Sequence, residues 1–262
     1  MIGKFPKVGP RVYGGVSLNP YYSALLSKLT ADGIALPTAS QQLDDNTFVQ
    51  TLDTAGVLTK HTGLYILGWH QFEAALYNWV APSSYKCSFV GSMTSSEFTA
   101  FVGYKTKAAS GLNTGINPST AGSPIDANNT TLWMWVDNIS AKDILMGAYV
   151  ASNLCYLGVE AGTIYGRINT SGAENLGAIG SSKNLIALKR INSTDVQIWE
   201  NGTLKTTVSR TFSLLANTTL YLCGMRFGGS IYVPSVGVEV FAAGIGGDID
   251  ISALYNALLT YK

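Results

Sequence analysis

Asp195-Val-Gln-Ile-Trp-Glu-Asn-Gly-Thr-Leu-Lys-Thr-Thr-Val208 decides how this chain is read. Two runs rich in β-branched and aromatic residues flank Asn201-Gly202. A two-residue type I′ turn needs positive φ at both central positions, and Asn and Gly tolerate that best. The stretch is therefore a β-hairpin. The same texture extends on both sides of it, back to Asn78-Trp79-Val80-Ala81-Pro82. Short candidate strands fall at Tyr85–Val90, Phe98–Tyr104, Thr131–Val136, Ile144–Val150, Cys155–Val159 and Ile164–Asn169. They continue at Asn184–Arg190, Asp195–Glu200, Leu204–Ser209, Thr219–Cys223 and Val236–Ala242. Gly, Asn and Ser separate them, a pattern that predicts an antiparallel β-sandwich or jelly roll. In Thr131–Val136, Leu132, Met134 and Val136 share one face while Trp133 and Trp135 share the other. Both faces are apolar, so this strand is expected at the centre of a sheet covered on both sides.

Before residue 80 the signals are helical. Asn19-Pro20 is a cap followed by proline at the first helical position; Tyr21, Ala24, Leu25, Leu26 and Leu29 follow, and Gly33 closes the helix. A second helix starts after Pro37 with Thr38 or Ser40 as cap and ends at Gly56. Gly63–Gly68 is too short for a helix and is read as a strand or buried extended segment. The chain closes on an amphipathic helix capped by Asp250 or Ser252, with Leu254, Ala257, Leu258 and Tyr261 on one stripe. The expected organisation is an extended arm over 1–18, a small helical assembly region over 19–80, and a sandwich with a short C-terminal helix over 81–262.

Composition excludes several functions. Only 13% of the 262 residues are charged and the net charge is +1, against about 25% charged in ordinary soluble domains. Duplex nucleic acid needs clustered Lys and Arg, so it is not an expected partner. No apolar run approaches the roughly 20 residues of a membrane span, and Met1-Ile-Gly-Lys-Phe-Pro-Lys does not read as a signal peptide. Cys87, Cys155 and Cys223 lack CxxC spacing and an adjacent His. They are expected as buried free thiols, with no metal site and no cofactor.

Catalytic patterns are weak. Asp248-Ile-Asp250 has the i, i+2 spacing of paired carboxylates but abuts the terminal helix, where Asp serves as a cap. Asp44-Asp45 is expected on a solvated helix face, and Glu200 as an exposed hairpin residue. His70, in Gly68-Trp69-His70-Gln71-Phe72, is expected at a helix start or core edge. No Gly-x-Ser-x-Gly elbow is present, and Gly244-Ile-Gly-Gly247 lacks a following Lys-Ser/Thr. Binding by aromatic platforms is left, since a ring face packs on the C–H face of a sugar. The candidate glycan or interface contacts are Trp133, Trp135, Tyr156, Tyr165, Trp199 and Tyr232, with loop Asn117 beside them.

Certain segments carry a resemblance. Asp195–Leu204 resembles the Asn-Gly hairpin of laminin-G/concanavalin-like jelly rolls, and Ser252–Leu258 resembles the short C-terminal helix of phage members of that fold. Glu73-Ala-Ala-Leu-Tyr-Asn-Trp-Val-Ala-Pro-Ser-Ser-Tyr85 is similar to a segment of tailed-phage virion proteins that joins a helical region to such a sandwich. Asn113–Ser119 is similar to a strand-to-loop segment of the same proteins. Val80-Ala81 departs from the Lys-Asn frequent there, and no acidic calcium loop is evident. The resemblance implies a non-enzymatic virion component, of capsid-surface, head-fibre or tail-fibre type, made in the bacterial cytoplasm. Its implied partners are copies of itself and other virion proteins. The alternative is a carbohydrate-binding module that recognises a host surface glycan, with a glycan-degrading enzyme behind both.

Overall fold

The computed structural model describes residues 12–13, 16–122, 124–137, 142–150, 153–160, 163–170, 175–178, 184–212, 214–227, 230–232 and 237–262. Most of the predicted arm lies outside these residues. Its described part, β1 (Val12–Tyr13) and β2 (Val16–Ser17), pairs as an antiparallel ribbon.

The two N-terminal helices form where the caps place them. Asn19 accepts from the Tyr21 amide at 3.0 Å and starts α1 (Pro20–Ala31), which buries Leu25, Leu26 and Leu29. Thr38, rather than Ser40, starts α2 (Ala39–Thr54), in a capping box with Gln41. The Gly63–Gly68 segment is a strand, β3 (His61–Ile66), buried at every position. One helical turn, α3 (Phe72–Ala75), follows.

Next come β4 (Ser88–Val90), β5 (Phe98–Thr99), β6 (Gly103–Lys105) and β7 (Gly111–Asn113). The long strands are β8 (Thr130–Asp137), β9 (Lys142–Val150), β10 (Asn153–Glu160) and β11 (Thr163–Thr170). After β12 (Asn175–Ala178) come β13 (Asn184–Arg190), β14 (Asp195–Glu200) and β15 (Thr203–Ser209). The last are β16 (Tyr221–Leu222), β17 (Gly224–Phe227), β18 (Ser230–Tyr232) and β19 (Glu239–Gly246), before α4 (Ile251–Tyr261).

Two sheets result. One runs β15-β14-β13-β8-β19-β6-β5, with β3 also paired to β19; the other runs β12-β11-β10-β9-β16-β7-β4, with β17 and β18 attached through β9. Pairing is antiparallel except between β17 and β9. The chain is thus mainly β, an antiparallel sandwich with few helices. As the alternation requires, β8 is central and all eight of its residues are buried. The Asn201-Gly202 hairpin forms with both residues at positive φ (50° and 73°).

Some sequence expectations shift. Phe98–Tyr104 is not one strand. Phe101 (φ 63°) and Gly103 (φ 121°) break it into β5, a turn and β6. Asp250, not Ser252, caps α4 through the Ala253 amide; the Ser252 hydroxyl donates instead to the Gly202 carbonyl at 2.6 Å, tying α4 to the hairpin turn.

The helices share the sandwich's core. One contiguous cluster of buried side chains includes Leu25, Leu26 and Leu52 together with Leu132, Val240 and Leu258. Asn78 and Trp79 explain how. The Asn78 amide oxygen accepts from the Leu64 and Val80 amides (3.1 and 3.2 Å) and its nitrogen donates to the Thr62 carbonyl (2.9 Å), clamping the chain to β3. Trp79 then packs among Tyr22, Phe48, Trp69 and Tyr261, joining α1, α2 and α4.

Candidate functional site

The aromatic candidates do not converge. Trp133 is wholly buried on β8 and donates from Nε1 to His61 Nε2 at 2.9 Å. A Cβ on Gly244 would lie 2.4 Å from that Nε1, so the neighbouring strand is cut away to admit the indole. Trp135 stacks on Tyr255 of α4 (5.8 Å, 11°), with the Lys262 ammonium 5.3 Å from its centre. Tyr156 is buried in the other sheet beside Ile144 and Met225, and tilts against half-buried Tyr165 at 5.4 Å. Trp199 is half-buried and bonds Gln197 Oε1 at 3.1 Å. The side chain of Tyr232 lies outside the described residues. Trp133, Trp135 and Tyr156 thus have their ring faces covered from within, the opposite of a platform. Asn117 turns onto Ser119 and Asn217 across the loops.

The carboxylates are mostly committed. Asp248 pairs with Lys189 at 2.5 Å, which holds its carboxyl below the usual range, and Asp250 caps α4. Glu200 is buried, contrary to the exposed position expected of it: β14 turns Val196, Ile198 and Glu200 to one side, and Lys205 pairs with it at 3.1 Å. Asp137 accepts from Lys262. All three cysteines are buried and free, and burial pushes the Cys155 and Cys223 thiols up to about 12. Among the described residues, no group of three or more His, Cys, Asp or Glu could hold a metal.

A different set of residues builds a pocket. Five separate segments meet there: Gln41, Asp44 and Asp45 of α2; Gly68, Trp69 and His70 after β3; Phe101 in the β5–β6 turn; Phe241 of β19; and Tyr261 and Lys262 at the end of α4. The cavity holds about 100 Å³ and opens to solvent. Its floor is rigid. Asp45, expected on a solvated face, is buried and accepts from the Tyr22 hydroxyl (2.7 Å), Trp69 Nε1 (3.0 Å) and the Tyr261 hydroxyl (2.6 Å). Burial pushes its carboxyl up to about 6, against the pull of those three donors. Tyr261 stacks on Phe48 at 4.4 Å, and the Gly68 amide donates to the Phe241 carbonyl at 2.8 Å. Only glycine fits at Gly68, because a Cβ there would lie 2.3 Å from the Phe241 ring.

The rim differs in character. Phe101 is 62% exposed, and its amide donates to the Gly68 carbonyl at 2.8 Å. An aromatic residue at φ 63° is strained, and such strain concentrates at functional positions. His70 meets Trp69 edge-on at 4.5 Å, and both of its ring nitrogens are shielded from solvent. The Ala35 carbonyl, which accepts from Gln71 Nε2, also lies beside the His70 ring. Burial lowers the His70 pKa, favouring the neutral ring. Asp44 is exposed and makes no ion pair among the described residues. Sequence reading reached Asp44, Asp45 and His70 singly and gave each a bland role. No local spacing joins residue 44 to residues 101 and 261.

No family model and no curated protein matches the chain. Solved structures do. The botulinum neurotoxin serotype D binding domain superposes with a TM-score of 0.54 at 11% identity, covering 77% of this chain and 52% of that one. A Trypanosoma rangeli sialidase mutant displaying trans-sialidase activity gives 0.55 at 12%, covering 82% and 39%. A botulinum neurotoxin type C structure, whose cell entry depends upon interaction with two ganglioside molecules, gives 0.53 at 10%, covering 78% and 53%. The chain therefore spans about half the length of the neurotoxin chains. At these identities the likeness defines a class by fold alone: a jelly-roll-like β-sandwich.

Proposed function

We propose that this chain is a non-enzymatic recognition module displayed on the surface of a tailed-phage particle, where its pocket contacts the host surface. The pocket carries the contact reading: a rigid floor locked by Asp45, under a rim of exposed Phe101 and exposed Asp44. Such convergence of apolar walls with a few polar groups is what a binding site needs. Hydrolysis of a glycosidic bond needs two carboxyl groups facing each other across it. Here Asp45 is held on both oxygens by three donors, which leaves Asp44 without a working mate. The phage setting is supported by the resemblance of Glu73–Tyr85, the hairpin and the terminal helix. A neurotoxin neighbour that depends on gangliosides for cell entry lends support to a surface-contact role for this fold. Assembly with copies of itself and other virion proteins is supported by β15, an edge strand exposed along nearly its whole length.

Two measurements test this. Mass spectrometry and immunogold labelling of purified particles should find the chain on the outer surface; its absence from particles ends the phage reading. Purified chain should compete with particles for host adsorption, and undiminished adsorption at saturating protein ends the contact reading.

A further inference from the structure

The geometry points to a neutral pyranose, at the end or along the edge of a host glycan, as what the pocket takes, with Phe101 as its stacking platform and Asp44 and Gln41 as its hydroxyl partners. This rests on the reading of the pocket as a contact site. Size comes first. A cavity of about 100 Å³ is below the roughly 300–1,000 Å³ of drug-sized sites, so it holds one ring or part of one.

Charge then selects among small groups. Among the described residues the only cation in the lining is Lys262, and it is already placed: its ammonium pairs with Asp137 and sits 4.9 Å over the Phe241 ring. An anionic sugar would find no unpaired cation and would face the Asp44 carboxylate. A cationic ligand would meet Asp44, but the Lys262 ammonium already covers one aromatic face and repels a second positive charge. A neutral, hydroxyl-rich ring escapes both penalties.

The polar groups suit hydroxyls. Asp44 accepts without donating, while the His70 ring nitrogens are shielded and take no part. Gln41 uses its Oε1 on the Thr38 cap, which leaves its amide nitrogen as a donor. The apolar requirement is met by Phe101, whose exposed ring is the one aromatic face of the lining held outward. Its strained backbone has a reason under this assignment, since the turn that brings Phe101 to the lining is fixed by its amide bond to Gly68.

The test uses the purified full chain on an array in which glycans of equal length end in hexose, N-acetylhexosamine, sialic acid or uronate. The best hit is then titrated by calorimetry against Phe101→Ala and Asp44→Asn, two exposed positions whose melting temperatures are checked in parallel. Neutral termini should bind, and each substitution should weaken binding about tenfold or more, the scale of one lost charge-assisted bond or ring contact. Preference for sialylated or uronate termini overturns the neutral-sugar assignment while leaving the contact site standing. Binding unchanged in both folded variants places the sugar elsewhere and overturns it as well. If no glycan binds yet the chain still blocks adsorption, the partner is a protein and the assignment falls alone. If neither occurs, the contact reading falls with it.

Discussion

Changing His61 to Phe removes a buried imidazole that the fold keeps neutral. Nδ1 donates to the Val57 carbonyl and Nε2 accepts from Trp133 Nε1, each at 2.9 Å. Only the neutral ring can do this, because an imidazolium donates from both nitrogens. Burial pulls its pKa from 6.5 to about 4. As pH falls, the unfolded ring protonates first, so the unfolded chain binds more protons between those values and stability is lost across that window. The gap is worth roughly 3 kcal/mol. The Phe variant lacks this titration but leaves the Trp133 N–H unpaired, at about 1–3 kcal/mol, while the Val57 carbonyl keeps its bond from the Lys60 amide at 3.2 Å. It should therefore be less stable than the parent by roughly 1–3 kcal/mol above pH 7. That difference should shift toward the variant by most of the ~3 kcal/mol as the pH approaches 4. Urea titrations followed by tryptophan fluorescence measure both. Carboxylates titrate in the parent and the variant alike and cancel in the difference. A stability difference that stays constant from neutral pH to about 4.5 would refute the argument that His61 is held neutral.

Asp45→Asn should act with the opposite sign. Its folded carboxyl titrates near 6 against an ordinary 3.8, so the parent gains stability on acidification through that window, and the variant should lack a gain of up to about 3 kcal/mol, read from the same titrations. Phe101→Gly relieves a left-handed backbone and should raise stability by about 1 kcal/mol while abolishing pocket binding, seen as a higher melting temperature beside a lost calorimetric signal. Asn78→Ala strands two amides and a carbonyl in the core and should destabilise by at least ~3 kcal/mol in chemical denaturation. Gly202→Ala, at φ 73° with its new Cβ 3.0 Å from the Tyr255 ring, should cost roughly 1–2 kcal/mol and loosen α4, measured by hydrogen exchange of that helix.

Local chemistry made much of the fold legible. Asn19-Pro20, Thr38 and Asp250 mark helix starts because capping depends on one side chain and amides two or three residues away. Asn201-Gly202 marks a hairpin because positive φ is a property of those two residues. The apolar double alternation of Thr131–Val136 placed β8 at a sheet centre because a strand's faces are set by a period of two. The turn at Phe101 was not legible: nothing in Phe or its neighbours favours a left-handed conformation, which is imposed by the amide bond to Gly68, a contact between distant segments.

The pocket belongs wholly to that second kind of information. Asp45 and Glu200 carry charges that a sequence places at the surface, yet both are buried by packing: one under α4 and three donors, the other on the inward side of β14 beside Lys205. Trp133 and Trp135, candidate glycan or interface contacts on a strand expected to be covered on both faces, were assigned to the interior by Gly244 opening the adjacent strand and by α4 lying over the sheet. The sequence by itself determined the strands, the caps, the hairpin and the scarcity of charge, since each is written in neighbouring residues. Only the tertiary structure decided which aromatic stays exposed and which of Asp44 and Asp45 is buried. Those outcomes depend on five segments, from residue 41 to residue 262, meeting in one place.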